Sequence, residues 1–129
     1  MTAILDTNIV IRHLTGEPTG QAAAATELLA STEPLYLTEV TIAECAHVLR
    51  SVYQAPHATI AVVLRSLISQ PHVRVDHPER LMAAFNILET SGLGFPDAHL
   101  AATSLELNTP VISFDRGLDR VDGLVRREP

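Results

Sequence analysis

Short apolar runs alternate along this chain with stretches whose apolar residues recur at helical spacing, and this alternation restricts the fold more than any other feature. The runs Ala3-Ile4-Leu5, Leu35-Tyr36-Leu37, Val73-Arg74-Val75, Val111-Ile112-Ser113-Phe114 and Leu124-Val125-Arg126 read as strands. Between them, Ile42, Cys45, Ala46 and Leu49 fall at i, i+3, i+4 and i+7. The same spacing recurs in Ile60, Val63, Leu64 and Leu67, in Leu81, Ala84, Phe85 and Leu88, and in Ala98, Ala101, Ala102 and Leu105. Each set marks a helix with one buried face. Strands alternating with helices imply βαβ units, right-handed crossovers and a parallel sheet covered on both faces. The expected architecture is therefore a three-layer α/β/α domain with a central parallel sheet. Helices over 40–54 and 57–69, broken at Pro56, would form a helical hairpin between two strands.

The length of 129 residues fits one domain spanning 1–129. No apolar stretch approaches a membrane span, and the N-terminus lacks the basic and long apolar regions of an export signal, so a soluble cytoplasmic protein is expected. The single cysteine, Cys45, cannot form an internal disulfide and reads as a small core residue. A net charge of -6 argues against bulk attraction to nucleic acid, so any such contact must be local. All nine basic residues are arginine. The absence of lysine excludes a P-loop and a Schiff-base enzyme.

Asp6 interrupts an apolar stretch at the end of the first strand, and Asp115 stands after the Val111–Phe114 run in the same manner. In a parallel sheet both lie at the carboxyl edge, where open α/β sheets bind ligands. Asp97 follows Pro96 at a helix start, where the helix dipole favours a carboxylate. Glu44 falls just beyond the apolar stripe of its helix, beside Thr41 and Val48, and is expected to be partly buried. Singly, each acid has an ordinary explanation as a cap or turn former. Jointly, four carboxylates meeting at one edge would repel one another unless a cation held them. All-oxygen ligands select a hard ion, Mg²⁺ or Mn²⁺, which can activate water and stabilise a phosphoryl oxygen; phosphodiester hydrolysis is the expected chemistry.

The order Leu5-Asp6-Thr7-Asn8, a glutamate on the helix after the second strand, Phe95-Pro96-Asp97-Ala98-His99-Leu100-Ala101-Ala102, and Ser113-Phe114-Asp115-Arg116 closely resembles the PIN domain, nearest to the VapC-type toxins of bacterial toxin–antitoxin pairs. The resemblance covers essentially the whole chain. It implies a Mg²⁺- or Mn²⁺-dependent ribonuclease that cuts RNA by metal-activated water and is restrained by a cognate antitoxin lying over an acidic groove. It also implies a homodimer, with DNA contacted only through the antitoxin. Asp6, Glu44, Asp97 and Asp115 match the family's acidic quartet; Thr7, Asn8 and Ser113 match its small polar neighbours. Pro96 departs from the pattern and bears on how its helix starts.

Asp119, four residues after Asp115, faces the same way if a helical turn follows the strand; it is either a fifth ligand or a surface partner of Arg116 or Arg120. Asn8 is expected both to orient Asp6 and to help cap the following helix. Arg12 and Arg116 are the candidate contacts to RNA backbone, since a guanidinium fork matches phosphate. Apolar positions on the hairpin, namely Leu49, Val52, Tyr53 and Ile60, could receive an antitoxin helix, self-associate, or belong to the core. Glu44 and His47 form one E-x-x-H pair, whereas a di-iron bundle needs two. His99 reads as a surface or packing histidine. Two other function classes remain: a PIN-like module that binds a protein without catalysis, and a phospho-aspartate enzyme, which the missing lysine and Asn8 disfavour.

Overall fold

The structure, a computed structural model, describes residues 2–129. Its elements run β1 (Ala3–Ile4), α1 (Thr7–Thr15), α2 (Thr19–Ala30), β2 (Leu35–Tyr36), α3 (Glu39–Ser51), α4 (His57–Ile68), β3 (Val73–Arg74), α5 (Pro78–Ser91), α6 (Phe95–Leu107), β4 (Val111–Ile112), a short 3₁₀ helix (Arg116–Arg120) and β5 (Arg126–Arg127). The chain forms a compact α/β fold with parallel strands throughout.

The strands form two ladders where one sheet was expected. β1-β2-β3 make a three-stranded sheet and β4-β5 a two-stranded one. Ala3 opposes Leu35, and Leu35 opposes Val73. On one side of these strands Leu5, Leu35, Leu37 and Val73 are buried in the main core. On the other, Ile4 and Arg74 are exposed where a covering layer was expected. There the Arg74 guanidinium lies over the Tyr36 ring, 5.1 Å from its centroid, and the Tyr36 hydroxyl donates to Asp76. A cation over an aromatic face tolerates water in a way an aliphatic layer does not.

The apolar periods fold as their spacing dictates. Ile42, Cys45, Ala46 and Leu49 are all buried on α3, and Leu81, Ala84, Phe85 and Leu88 on α5. Leu105 departs, lying exposed near the end of α6. Leu49 and Ile60 are core residues, which leaves Val52 and Tyr53 as the exposed members of that set of four; Val40 and Val62 on the hairpin are exposed as well. Pro56 is the residue before α4, where its fixed φ and missing N–H cost nothing. Helix α2 has no full apolar period in the sequence, yet alanine-rich composition favours a helix, and Ala22, Ala25 and Leu29 supply a narrow buried stripe. Helix α1 ends at Gly16, whose φ of 75° suits glycine and whose N–H reaches the Arg12 carbonyl at 2.9 Å.

Candidate active site

Three chain reversals present Asp6, Asp97 and Asp115, while Glu44 stands mid-helix on α3. The Leu5 N–H makes the last ladder bond of β1, to the Tyr36 carbonyl at 2.9 Å, and Asp6 follows immediately as the N-cap of α1. An aspartate there ordinarily accepts a backbone N–H with its side chain. Asp6 does not: it makes no side-chain cap hydrogen bond, and its carboxylate is exposed.

Thr7, the first residue of α1, is buried near the Cys45 thiol. Burial raises the Cys45 pKa to about 12, with further upward pushes from the nearby Glu44 and Asp6 charges. The tertiary fold therefore brings the end of β1 close to the middle of α3, and Cys45 is the buried spacer between them. Glu44 itself is exposed, in contrast to the partial burial expected, because the apolar stripe on α3 is narrow enough to leave its neighbour in solvent. Asn8 also differs from expectation. Asp6 occupies the cap position, and among the described residues the Asn8 side chain makes no hydrogen bond to it.

Asp97 is the third residue of α6, half-buried, and makes no side-chain hydrogen bond among the described residues. Pro96 sits in the first turn, where no intrahelical donor is required, so it starts the helix without disturbing it. The exposed N–H groups and the dipole of α6 favour the carboxylate at this position. The His99 ring packs on Phe95 at 5.8 Å between centroids, and its Nε2 lies 2.8 Å from Glu39 Oε2, so it is a packing histidine that also ties α6 to α3. Glu39 was not anticipated, because its partner lies 60 residues away. Its second oxygen, Oε1, is buried without a hydrogen-bond partner.

Asp115 caps the 3₁₀ helix, with Oδ1 accepting the Gly117 N–H at 2.8 Å, and Ser113 Oγ accepts the Asp115 N–H at 2.9 Å. A Cβ added at Gly117 would stand 3.0 Å from Asp115 Oδ1 and 3.3 Å from Leu93 Cδ2. Gly117 is thus closely packed between the Asp115 carboxylate and Leu93, which lies in the loop that opens into α6. Asp119 takes neither of its expected partners. The turn after the strand is 3₁₀, with three residues per turn, so position 119 aligns with 116 and not with 115. Arg126 binds Asp119 instead, Nε to Oδ1 at 2.9 Å and Nη2 to Oδ2 at 3.1 Å. Arg12 Nε is committed to Gln21 Oε1 at 2.6 Å, and Arg116 is exposed.

Asp6 and Glu44 both lie near enough to the Cys45 thiol for their charges to raise its pKa, and Gly117, two residues after Asp115, lies near Leu93 ahead of α6. Among the described residues, no three His, Cys, Asp or Glu side chains form a ready-made metal-holding group. The donors are nonetheless of the type a hard cation takes. Mg²⁺ is commonly held by one or two carboxylates, with water and substrate phosphate completing its shell, and Asp6 and Asp97 both have carboxylates without protein partners.

Fold and site together define a parallel α/β domain with acids at its strand and helix ends, a nuclease-type fold. The PIN domain family model matches residues 3–124, and the chain belongs to that family. PIN domains are commonly nucleases and generally use divalent metals such as Mg²⁺. A search among curated proteins gives no match. No helix among the described residues is long and apolar enough to cross a membrane.

Proposed function

We propose that this chain is a metal-dependent endoribonuclease that hydrolyses RNA phosphodiester bonds, and that it acts as the cytoplasmic, VapC-type toxin of a toxin–antitoxin pair. The observation that carries this reading is the pair of uncommitted carboxylates, Asp6 and Asp97, in a chain of the PIN family. Asp6 and Asp97 would hold Mg²⁺ or Mn²⁺, with Glu44 and Asp115 supplying further oxygens to the ion or its waters. The bound ion would supply Lewis acidity, lowering the pKa of water and stabilising charge on the phosphoryl oxygens.

The chain's own residues contribute position. Thr7 packs the first turn of α1 near Cys45 of α3, Ser113 shapes the backbone before Asp115, and the Glu39–His99 contact fixes α3 against α6. Arg116 is exposed next to Asp115 and is available to RNA backbone; Arg12 would first have to leave Gln21. The cognate antitoxin would restrain the enzyme by covering the acidic site, with Val52 and Tyr53 among the apolar positions open to it. The working form is a homodimer, to be checked by light scattering with and without the antitoxin.

Incubation of the purified chain with total RNA and Mg²⁺ or Mn²⁺ tests the activity. Cleavage that stops on chelation and is abolished in Asp6→Asn or Asp97→Asn is expected. Metal-independent nicking, or full activity in both variants, would refute the enzyme assignment. Tight binding of an antitoxin-like helix with no cleavage under any divalent ion would leave a protein-binding PIN module instead.

A further inference from the structure

A cleft of about 140 Å³ lies between the later turns of α3 and the starts of α4 and α6. Its walls include Ile60, Leu88 and Phe95, all buried, and Arg50, His47 and His57 also line it. His57 Nδ1 is buried without a hydrogen-bond partner. Arg50 gives one donor of its fork, Nη1, to the Ala55 carbonyl at 3.1 Å. Burial, and secondarily the Arg50 charge, lower the His57 pKa, so the imidazole is neutral near pH 7 and offers one donor and one acceptor.

Two features identify the ligand. Apolar walls with a few polar groups suit a flat heterocycle with polar edges, and an arginine beside them suits a phosphate. The volume then selects the size: a cavity of about 150 Å³ admits one benzene-sized ring. A single-ring base would fill such a volume, whereas a fused double ring would extend out of the mouth of the cleft.

The location ties the cleft to the acids. His47 stands three residues after Glu44 on α3, where helix neighbours are about 5–6 Å apart. Pro96, which also lines the cleft, directly precedes Asp97 on α6. We propose that this cleft receives one unpaired pyrimidine base of the RNA, adjoining the phosphate presented to the acidic site, with Arg50 taking the phosphate of that same nucleotide. The proposal rests on the ribonuclease reading and gives it a base preference. It also supplies the local cation that an overall charge of -6 withholds.

Two measurements on the full chain test it. In the first, the histidine side-chain NMR signals are followed while CMP, UMP or AMP is added without metal. CMP or UMP is expected to move the His57 and His47 signals, AMP to bind at least about tenfold more weakly, and Arg50→Ala to weaken the pyrimidine nucleotides about tenfold. His57→Gln, which keeps a polar group in the wall, is expected to weaken them less. Equal responses to AMP, no response at His57, or indifference to Arg50→Ala would overturn the site.

The second measurement is cleavage of oligonucleotides differing only in the base beside the cut. A pyrimidine preference reduced about tenfold in Arg50→Ala supports the proposal. Cleavage with no such preference overturns it while leaving the ribonuclease reading intact. Nucleotide binding as described with no RNA cleaved under either metal keeps the pyrimidine site and removes the ribonuclease.

Discussion

Arg126 clasps Asp119 with two donors, Nε and Nη2, at 2.9 and 3.1 Å, and so joins the turn after β4 to strand β5. The pairing lowers the Asp119 pKa, with hydrogen bonds from Arg126 the main cause. A lowered carboxylate pKa contributes stability above its ordinary value of 3.8 and loses it as pH falls through the lowered value. Asp119→Asn should therefore lower the melting temperature at neutral pH, and the difference from wild type should shrink in acid. Ribonuclease activity should stay within about twofold, since this acid is engaged structurally. A large loss of activity with unchanged melting would show instead that Asp119 serves the metal.

Asp6→Asn and Asp97→Asn each remove one charge without changing shape. Each should reduce cleavage by at least roughly a hundredfold, as expected when a metal site loses a primary oxygen ligand. Circular dichroism should stay native, because neither carboxylate makes a side-chain hydrogen bond that the fold needs. A cooperative loss of structure in either variant would reassign that residue to stability.

Cys45 provides a pH test that needs no substrate. Its thiol is raised from 9.0 to about 12 by burial, then by the Glu44 and Asp6 charges. A raised pKa means the contribution is complete below the unfolded value and declines as pH rises toward the folded one, here between about 9 and 12. Urea unfolding should lose up to about 1.4 kcal/mol per pH unit across that window. The raised Tyr36 adds to the slope in the same direction, so the contribution of Cys45 is read as the part that Cys45→Ala removes.

Gly117→Ala would place a methyl group 3.0 Å from Asp115 Oδ1 and 3.3 Å from Leu93 Cδ2. Such crowding typically costs about 1–3 kcal/mol. Both stability and cleavage should fall if, as proposed, the displaced carboxylate serves the acidic site. Denaturant titration alongside an RNA assay would separate the two effects.

Phe85 is fully buried and stacks against Phe95, the first residue of α6, at 5.9 Å between ring centroids. Phe85→Ala should cost about 3–5 kcal/mol in chemical denaturation. It should also loosen the start of α6, visible as faster amide exchange around Asp97 than in the body of α3.

Local pattern was sufficient for most of the elements. The α3 and α5 periods predicted their buried faces because a helix fixes which residues share a side, whatever surrounds it. Helix α2 was not read from the sequence, since its stripe of Ala22, Ala25 and Leu29 is too sparse for a full period. The division into two ladders was invisible: register and strand pairing depend on partners 32 and 38 residues apart in the first ladder and 15 apart in the second.

The chemical types of the four candidate acids, three of them at the ends of elements and Glu44 within α3, were likewise present in the chain itself. Their environments were not. That Glu44 is exposed, that Asp119 belongs to Arg126, and that Glu39 reaches His99 all follow from distances between residues distant along the chain. Covalent order sets spacing within a helix or strand, whereas burial and pairing arise only when separate elements pack. Sequence alone determined which groups were available for chemistry; the tertiary structure decided which were already committed to one another.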